Sequence, residues 1–364
     1  HYLSETHHNK ITHITNIRQI FQEEYVWMDR FTTRNLELFQ PTNLNGVALI
    51  DVLDLTLTAM GGRMLKHWMA FPERNLSKIE GRLSVVEAFK NDDSIHNKMQ
   101  SHLKEIVDME RIIAKIATQK ISPRALVQLG KSLDQINIVK DDLLNHSSKN
   151  LQILGSRFLE PAEVIKLIQS TLKPDAPVLL SKGEVIADGV SKELDELRQL
   201  LYSGKDHLDR MVERESEQTQ IPSLKISFNN VFGYYIEVRN THKEKVPEDW
   251  IRKQTLVNAE RYITEELKEY ETKILGAEEK IKSLESKIYL ELIIELHKYL
   301  ELLKNNAQQT AQLDVLWCFA SLALKYNYSR PHFSDTTQLR IKQGRHPVIE
   351  NQLSPDNPFI ANDL

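Results

Sequence analysis

Apolar positions in this chain keep a helical period over long stretches and drop to a period of two in one place. From residue 190 an apolar or small residue recurs at Val190, Leu194, Leu197, Leu201, Gly204, Leu208 and Met211. A second series runs through Leu267, Tyr270, Ile274, Ala277, Ile281, Leu284 and Ile288. Alternating steps of three and four are the seam of a coiled coil. Between the two series, Leu224-Lys225-Ile226-Ser227-Phe228-Asn229 and Tyr234-Tyr235-Ile236-Glu237-Val238-Arg239 alternate as half-buried strands do. Asn229, Asn230 and Gly233 supply turn chemistry between them, and 250–256 is a candidate third strand. The pattern predicts an antiparallel pair of helices with a small β module at its tip. At 1.5 Å per residue, the Leu267–Ile288 stripe alone spans about 30 Å. Ser191 is placed to cap the outgoing helix, and Thr264, followed by Glu265 and Glu266, the returning one.

Before residue 170 the period is helical almost throughout. An amphipathic stretch over 18–27 is broken by Thr32, Thr33 and Asn35, and 47–55 reads as a short apolar helix. Gly61-Gly62 precedes a helix through Met64, Leu65 and Trp68 that ends at Pro72. Helices follow over 76–89, 95–107 and 123–138. Val178-Leu179-Leu180 and Val185-Ile186-Ala187 flank a four-residue turn and suggest a small β pair or an ordered loop. The fold class is therefore mainly α with a small β insert: a helical core plus long antiparallel coiled-coil levers carrying a β-rich tip.

Composition narrows the classes. The 364 residues suffice for two or more domains, and 41% hydrophobic, 27% charged with 12 Gly and 12 Pro suits a helix-rich protein. No apolar run is long enough to span a bilayer and no signal peptide is present, so no membrane partner is expected. The single Cys318, between Trp317 and Phe319, reads as buried in a helix, and a cytoplasmic location fits. The first residue is His1, which suggests a fragment or processed chain. His7-His8 and the scattered histidines lack metal-ligand spacing. The net charge is −4, and from 214 to 263 eight Lys or Arg face seven Asp or Glu. Charge alone favours a solvated β cap over a nucleic-acid surface. Tyr234 and Tyr235 point to opposite faces of their strand, so at least one belongs to a core. The Glu-rich returning helix reads as a solvated face.

Several blocks of residues carry a family resemblance. They are Thr33-Arg34-Asn35-Leu36-Glu37-Leu38; Leu53-Asp54 with Met60-Gly61-Gly62-Arg63-Met64-Leu65; and Asp108-Met109-Glu110-Arg111 with Ser122-Pro123-Arg124. In the strand-rich insert they are Phe228-Asn229, Gly233-Tyr234-Tyr235-Ile236, Arg252-Lys253-Gln254-Thr255-Leu256 and Asn258-Ala259-Glu260-Arg261-Tyr262-Ile263. Near the end stand Gly344-Arg345-His346-Pro347-Val348 and Phe359-Ile360-Ala361-Asn362. In this order the chain resembles MutS, the family of DNA mismatch repair ATPases.

The resemblance implies a division into the end of a connector (1–13), helical core (14–189), outgoing lever (190–217), clamp (218–263), returning lever and core (264–330), and the start of an ATPase domain (331–364). It implies that the clamp holds duplex DNA through Asn229, Arg252, Lys253, Gln254, Asn258 and Arg261, and that Val257 stands where relatives often carry Lys. It implies ATP and Mg²⁺ as cofactors of the full-length protein, with Phe359 and Ile360 matching its adenine-contacting segment. It further implies a homodimer and a MutL-type partner. Within this chain no cofactor is expected, because it ends before any Walker A loop. Gly130-Lys131-Ser132 imitates the end of such a loop, but Ala125 stands where its first glycine belongs and the setting is helical. Phe21-Gln22-Glu23 spells the family's mismatch-reading Phe-x-Glu without its surrounding aromatics and reads as coincidence. This chain is thus expected to clamp DNA through backbone contacts and to relay its presence, with no catalysis of its own. The competing reading is a coiled-coil scaffold whose tip binds protein.

Overall fold

The computed structural model describes residues 24–229, 233–334, 337–354 and 356–364, without the side chains of 204–206. The connector end at 1–13, His7-His8, Phe21-Gln22-Glu23 and Asn230 lie outside the described residues. In chain order the helices are α1 (Arg30–Asn35), α2 (Leu49–Leu53), α3 (Ala59–Ala70), α4 (Leu76–Asn91), α5 (Asp93–Lys104), α6 (Met109–Ala117), α7 (Pro123–Leu144), α8 (Lys149–Ser156) and α9 (Ala162–Thr171), then α10 (Lys192–Thr219), α11 (Glu265–Leu296), α12 (Leu300–Tyr326) and α13 (Pro347–Gln352). Four strands, β1 (Lys225–Asn229), β2 (Gly233–Arg239), β3 (Ile251–Thr255) and β4 (Ala259–Ile263), lie between α10 and α11. The protein is mainly helical with one small antiparallel sheet, and it divides into a core unit (24–121, 125–169 and 293–364) and an arm unit (122–124 and 170–292).

In the core unit α12 is the central helix. Leu303, Ala307, Ala311, Leu313, Val315, Leu316, Trp317, Cys318 and Ala320 are all buried, together with the polar Asn306, Gln309, Thr310 and Asp314, so the helix is packed by neighbours on most of its surface. Its buried Asp314 accepts hydrogen bonds from the Leu57 N–H (2.9 Å), the Thr58 N–H (2.7 Å) and the Thr58 hydroxyl (2.7 Å). Burial pushes that carboxyl above its usual range, against the lowering effect of those bonds. Thr58 in turn caps α3 by accepting from the Gly61 N–H. Gly61 and Gly62 therefore sit inside the first turn of α3 rather than ahead of it. A Cβ on Gly61 would overlap the Asp314 carboxylate, so the glycine lets the two helices close. Arg63 from the same segment grips Asp108 through both guanidinium nitrogens (3.0 and 2.6 Å) and Glu110 through Nε (2.8 Å). Two of the sequence blocks that carry the resemblance thus meet in space.

Some expectations change. Residues 24–27 are not α-helical: Tyr25 bridges Glu73, and the Val26 N–H bonds the Pro72 carbonyl. Thr32 and Thr33 do not break a helix but lie in one, since Asp29 caps α1 through the Thr32 N–H and the Thr33 hydroxyl bonds back to the Asp29 carbonyl. The segment read as 95–107 ends at Lys104, and the separate helix α6 follows, capped by Asp108. Gly130-Lys131-Ser132 lies in mid-α7, where the fully buried Ser132 accepts from the Val107 N–H. That residue is packing, as the helical setting predicted. Cys318 is buried and its thiol, bonded to the Leu53 carbonyl, is pushed up to about 12 by burial.

In the arm unit, Ser191 caps α10 through the Leu194 N–H, and the Thr264 hydroxyl accepts from the Leu267 N–H at the start of α11, both as expected. Leu267, Ile274, Ala277 and Ile281 are buried along α11. Contacts between α10 and α11 run in opposite chain directions: Arg198 pairs with Glu285 (2.7 Å), His207 stacks on Tyr270, and Arg214 pairs with Glu266 (2.6 Å). Of the two alternatives for Val178–Ala187, the structure takes the ordered loop and not the β pair. Leu180–Lys182 forms a 3-10 turn, and Ile186 bridges Leu172 instead. The reason is Glu285, which is 1% exposed and accepts from the Val185 N–H and from Arg198, drawing this loop onto α11.

Candidate nucleic-acid interface

The tip is built outward from one apolar face. Ile236 and Val238 of β2 and Tyr262 of β4 pack with Met211, Ile221, Leu224, Trp250 and Leu267. The strands order β1-β2-β4-β3, all antiparallel, so β1 and β3 are the edges. The third strand read at 250–256 is confirmed as β3. Its register against β4 slips between Arg252 and Gln254, which leaves Lys253 at a bulge, a device that re-aims a side chain. Tyr235 is buried, with the Arg261 guanidinium over its ring at 4.3 Å. Tyr234 lies against Phe228 and Tyr270.

Charge is sorted at this tip in a way the count of residues hides. Glu260, 2% exposed, is held by the Tyr262 hydroxyl, Lys243 (3.1 Å) and Arg252 (3.5 Å). The Tyr262 hydrogen bond, helped by Lys243 and opposed by burial, holds the Glu260 carboxyl below its usual range. Burial, with the Glu260 bond, pushes the Tyr262 phenol up to about 12. Glu237 is taken by Arg261, and Glu215 and Glu266 by Arg214. Arg252 and Lys253 are exposed toward the start of β3, Arg252 level with Tyr262, and Arg239 and Lys243 are exposed at the other end of the sheet, where β2 finishes and the β3–β4 turn lies. Asn240 ties that end together, its N–H bonding the Asn258 carbonyl and its side chain the Val257 carbonyl. Val257, 92% exposed, projects from the turn without charge.

The sequence-predicted residues fall into three groups. Arg252, Lys253, Gln254 and Asn258 come together on β3 and its turn. Arg261 is turned inward: it donates to Gln254 (2.9 Å) and to Glu237 (3.3 Å). Asn229 pairs with Gly233 at the other end of β2, on the opposite edge, and is not brought to the cluster. The structure adds Arg239 at the end of β2, and Asn240 and Lys243 from the 3-10 turn Asn240–Lys245, which has no period to betray it. Phe359 is half-buried and Ile360 exposed, beside the Gly344–Asn362 bridge in the core unit. Those residues offer one apolar wall and no glycine-rich phosphate cradle, so they do not fit a triphosphate by themselves.

With this geometry in hand the comparisons are informative. The MutS domain III family matches residues 31–320, and the chain belongs to that family. It is 54% identical over its whole length to a DNA mismatch repair protein MutS from Flavobacterium johnsoniae, covering 42% of that relative. It is 52% identical to the protein of the same name from Christiangramia forsetii and 50% to that from Phocaeicola vulgatus, again covering 42% of each. The chain thus spans less than half the length of these relatives. Among the described residues no helix is long and apolar enough to cross a membrane.

Proposed function

We propose that this chain is the core, lever and clamp portion of a DNA mismatch repair protein, and that its tip holds duplex DNA by the backbone. The observation that carries the reading is the set of exposed cations Arg239, Lys243, Arg252 and Lys253 on β3 and around the end of β2, on a sheet whose two strand acids, Glu237 and Glu260, are paired. Side chains of this kind neutralise phosphates and carry no sequence information. Gln254 and Asn258 add polar contacts, Arg261 fixes Gln254, and Asn229 reaches DNA only where it passes the far end of the sheet. The helices α10 and α11 act as antiparallel coiled-coil levers that carry the clamp and relay its occupancy to an ATPase domain of the full-length protein. ATP and Mg²⁺ bind in that domain, and Phe359 and Ile360 supply an apolar wall against the adenine. The full-length protein is a homodimer with a MutL-type partner and works in the cytoplasm.

Fluorescence anisotropy with matched and mismatched duplexes, at two salt concentrations, tests the clamp reading. Binding is expected to be weak, equal for both duplexes, and lost as salt rises. Changing Arg252 and Lys253 together to Ala should weaken binding evenly and flatten the log–log salt slope by about 1.8, two contacts at about 0.9 each. A double variant that binds as wild type does would place the contact surface elsewhere, and a clear mismatch preference would refute the backbone-only reading.

A further inference from the structure

We propose that the cleft between α3, α4, α8 and α12 of the core unit binds a small organic anion with an apolar body. The cleft has a volume of about 570 Å³, in the range of small-molecule sites. Its floor is apolar, made by Met64, Val85, Leu154 and Leu316. Its charged lining is Lys78, Arg82 and Arg157 against Glu73 alone, which sums to three minus one, or +2, in a chain whose net charge is −4. Glu73 already occupies part of that field, 3.4 Å from Lys78 and 3.9 Å from Arg82, and shows that a carboxylate is accepted there. The Arg82 guanidinium is fixed 3.6 Å above the Trp68 ring. The Arg157 side chain has no partner among the described residues, and the amides of Asn150 and Gln312 face the same space.

Gly81 is the second, independent observation. It lies in the middle of α4 with ordinary helical backbone, where glycine costs helix stability relative to alanine or leucine. A Cβ there would meet nothing within 4 Å, so no packing demand explains it. The missing side chain keeps the wall of the cleft open. Arg157 and Lys78 then hold the anionic head group, and the body lies over Leu154 and Leu316. This site is separate from the tip, and its test involves no DNA.

The probe is 8-anilinonaphthalene-1-sulfonate, an aromatic anion whose fluorescence rises on binding, titrated into the purified chain. One saturable site per chain is expected. Arg157→Gln should weaken it by about tenfold or more, the loss of one charge-assisted contact. Gly81→Leu should abolish it while raising Tm, since the new side chain fills open space on a helix. Gly276→Ala, at another helical glycine with nothing within 4 Å, should also raise Tm but leave the probe bound. Displacement by phenyl phosphate or by benzoate supports the site and identifies its preferred head group. The proposal falls if neither competitor displaces the probe, if Arg157→Gln and Gly81→Leu both bind it as wild type does, if Gly81→Leu lowers Tm, or if Gly276→Ala weakens the probe as much as they do.

Discussion

Arg198 and Glu285 are unequal partners, and removing each should have a different effect. Arg198 is 12% exposed at its side chain and holds three acceptors: Glu285 (2.7 Å), the Ile186 carbonyl (2.8 Å) and Asp188 (2.8 Å). Glu285 is 1% exposed, and its charge rests on Arg198 and one N–H, that of Val185 at 3.2 Å. Its second carboxylate oxygen has no hydrogen-bond partner among the described residues. Arg198→Ala therefore strands a buried carboxylate, which costs about 3–5 kcal/mol. Glu285→Ala leaves Arg198 with the Ile186 carbonyl and the mostly exposed Asp188, so its cost is that of one charged hydrogen bond plus lost packing, about 1–3 kcal/mol. Replacing both with apolar residues of similar length, Arg198→Met with Glu285→Leu, should come close to wild type, because the desolvation penalty disappears with the charges. Urea unfolding, with hydrogen exchange of the α10 and α11 amides to localise the loss, measures all three variants. The reasoning is refuted if Glu285→Ala costs as much as Arg198→Ala, or if the double variant loses the sum of the two.

Three other outcomes follow from features already described. Ile281→Asp places a carboxylate on the buried stripe of α11 and should cost several kcal/mol and weaken DNA binding without touching DNA, whereas Lys282→Asp one position away should change stability little; unchanged thermal stability and affinity in Ile281→Asp would end the lever reading. Gly61→Ala should destabilise the core unit by about 3 kcal/mol in denaturant unfolding, since displacing Asp314 breaks charged bonds worth about 1.5–3 kcal/mol each against a helix gain of at most about 1 kcal/mol; a stabilised variant would contradict the close approach. Glu260 has a folded-state pKa below its ordinary value of 4.5, so its contribution is present above that pH and lost as pH falls through the folded value. Acid loss of the tip, followed by the emission of Trp250 beside Tyr262 in a chain whose other tryptophans are replaced by Phe, should therefore be flattened in Glu260→Gln, and identical acid profiles would show that Glu260 holds nothing.

Much of this architecture was legible because it is written in periods. The caps at Ser191 and Thr264, the returning stripe and the strand at 233–239 depend on neighbours within a few residues and appear where the pattern placed them, whereas Val190 precedes its helix and Phe228 is exposed. What stayed hidden depends on distant partners. Gly61 looks like a helix breaker until Asp314, about 250 positions later, is brought beside it. Glu285 is one more acid on a Glu-rich helix until Arg198 and Val185 enclose it, and the same contact decides for the loop where the sequence left a β pair or an ordered loop open. At the tip, eight cations against seven acids leave a near-balanced surface, with Glu217, Glu244, Glu248 and Asp249 exposed, and the count could not show that Glu260 is buried among Tyr262, Lys243 and Arg252. The strand sequence kept Arg252, Lys253, Gln254 and Asn258 together on β3 and its turn, since a hairpin keeps sequence neighbours together. It could not show that Asn229 ends on the opposite edge.

The strand order β1-β2-β4-β3 leaves β3 with one side of its backbone unpaired within the sheet. Such an edge is a template on which a second copy of the chain could add its own strand, and Ile251 is exposed along it. The bulge at Lys253 interrupts the regular row of donors and acceptors, and the adjacent charges of Arg252 and Lys253 repel an identical strand brought alongside. The same two side chains proposed to meet phosphate would then keep this protein from sticking to itself in the absence of DNA. Their removal would expose the chain to self-association through β3, visible as a concentration-dependent rise in light scattering.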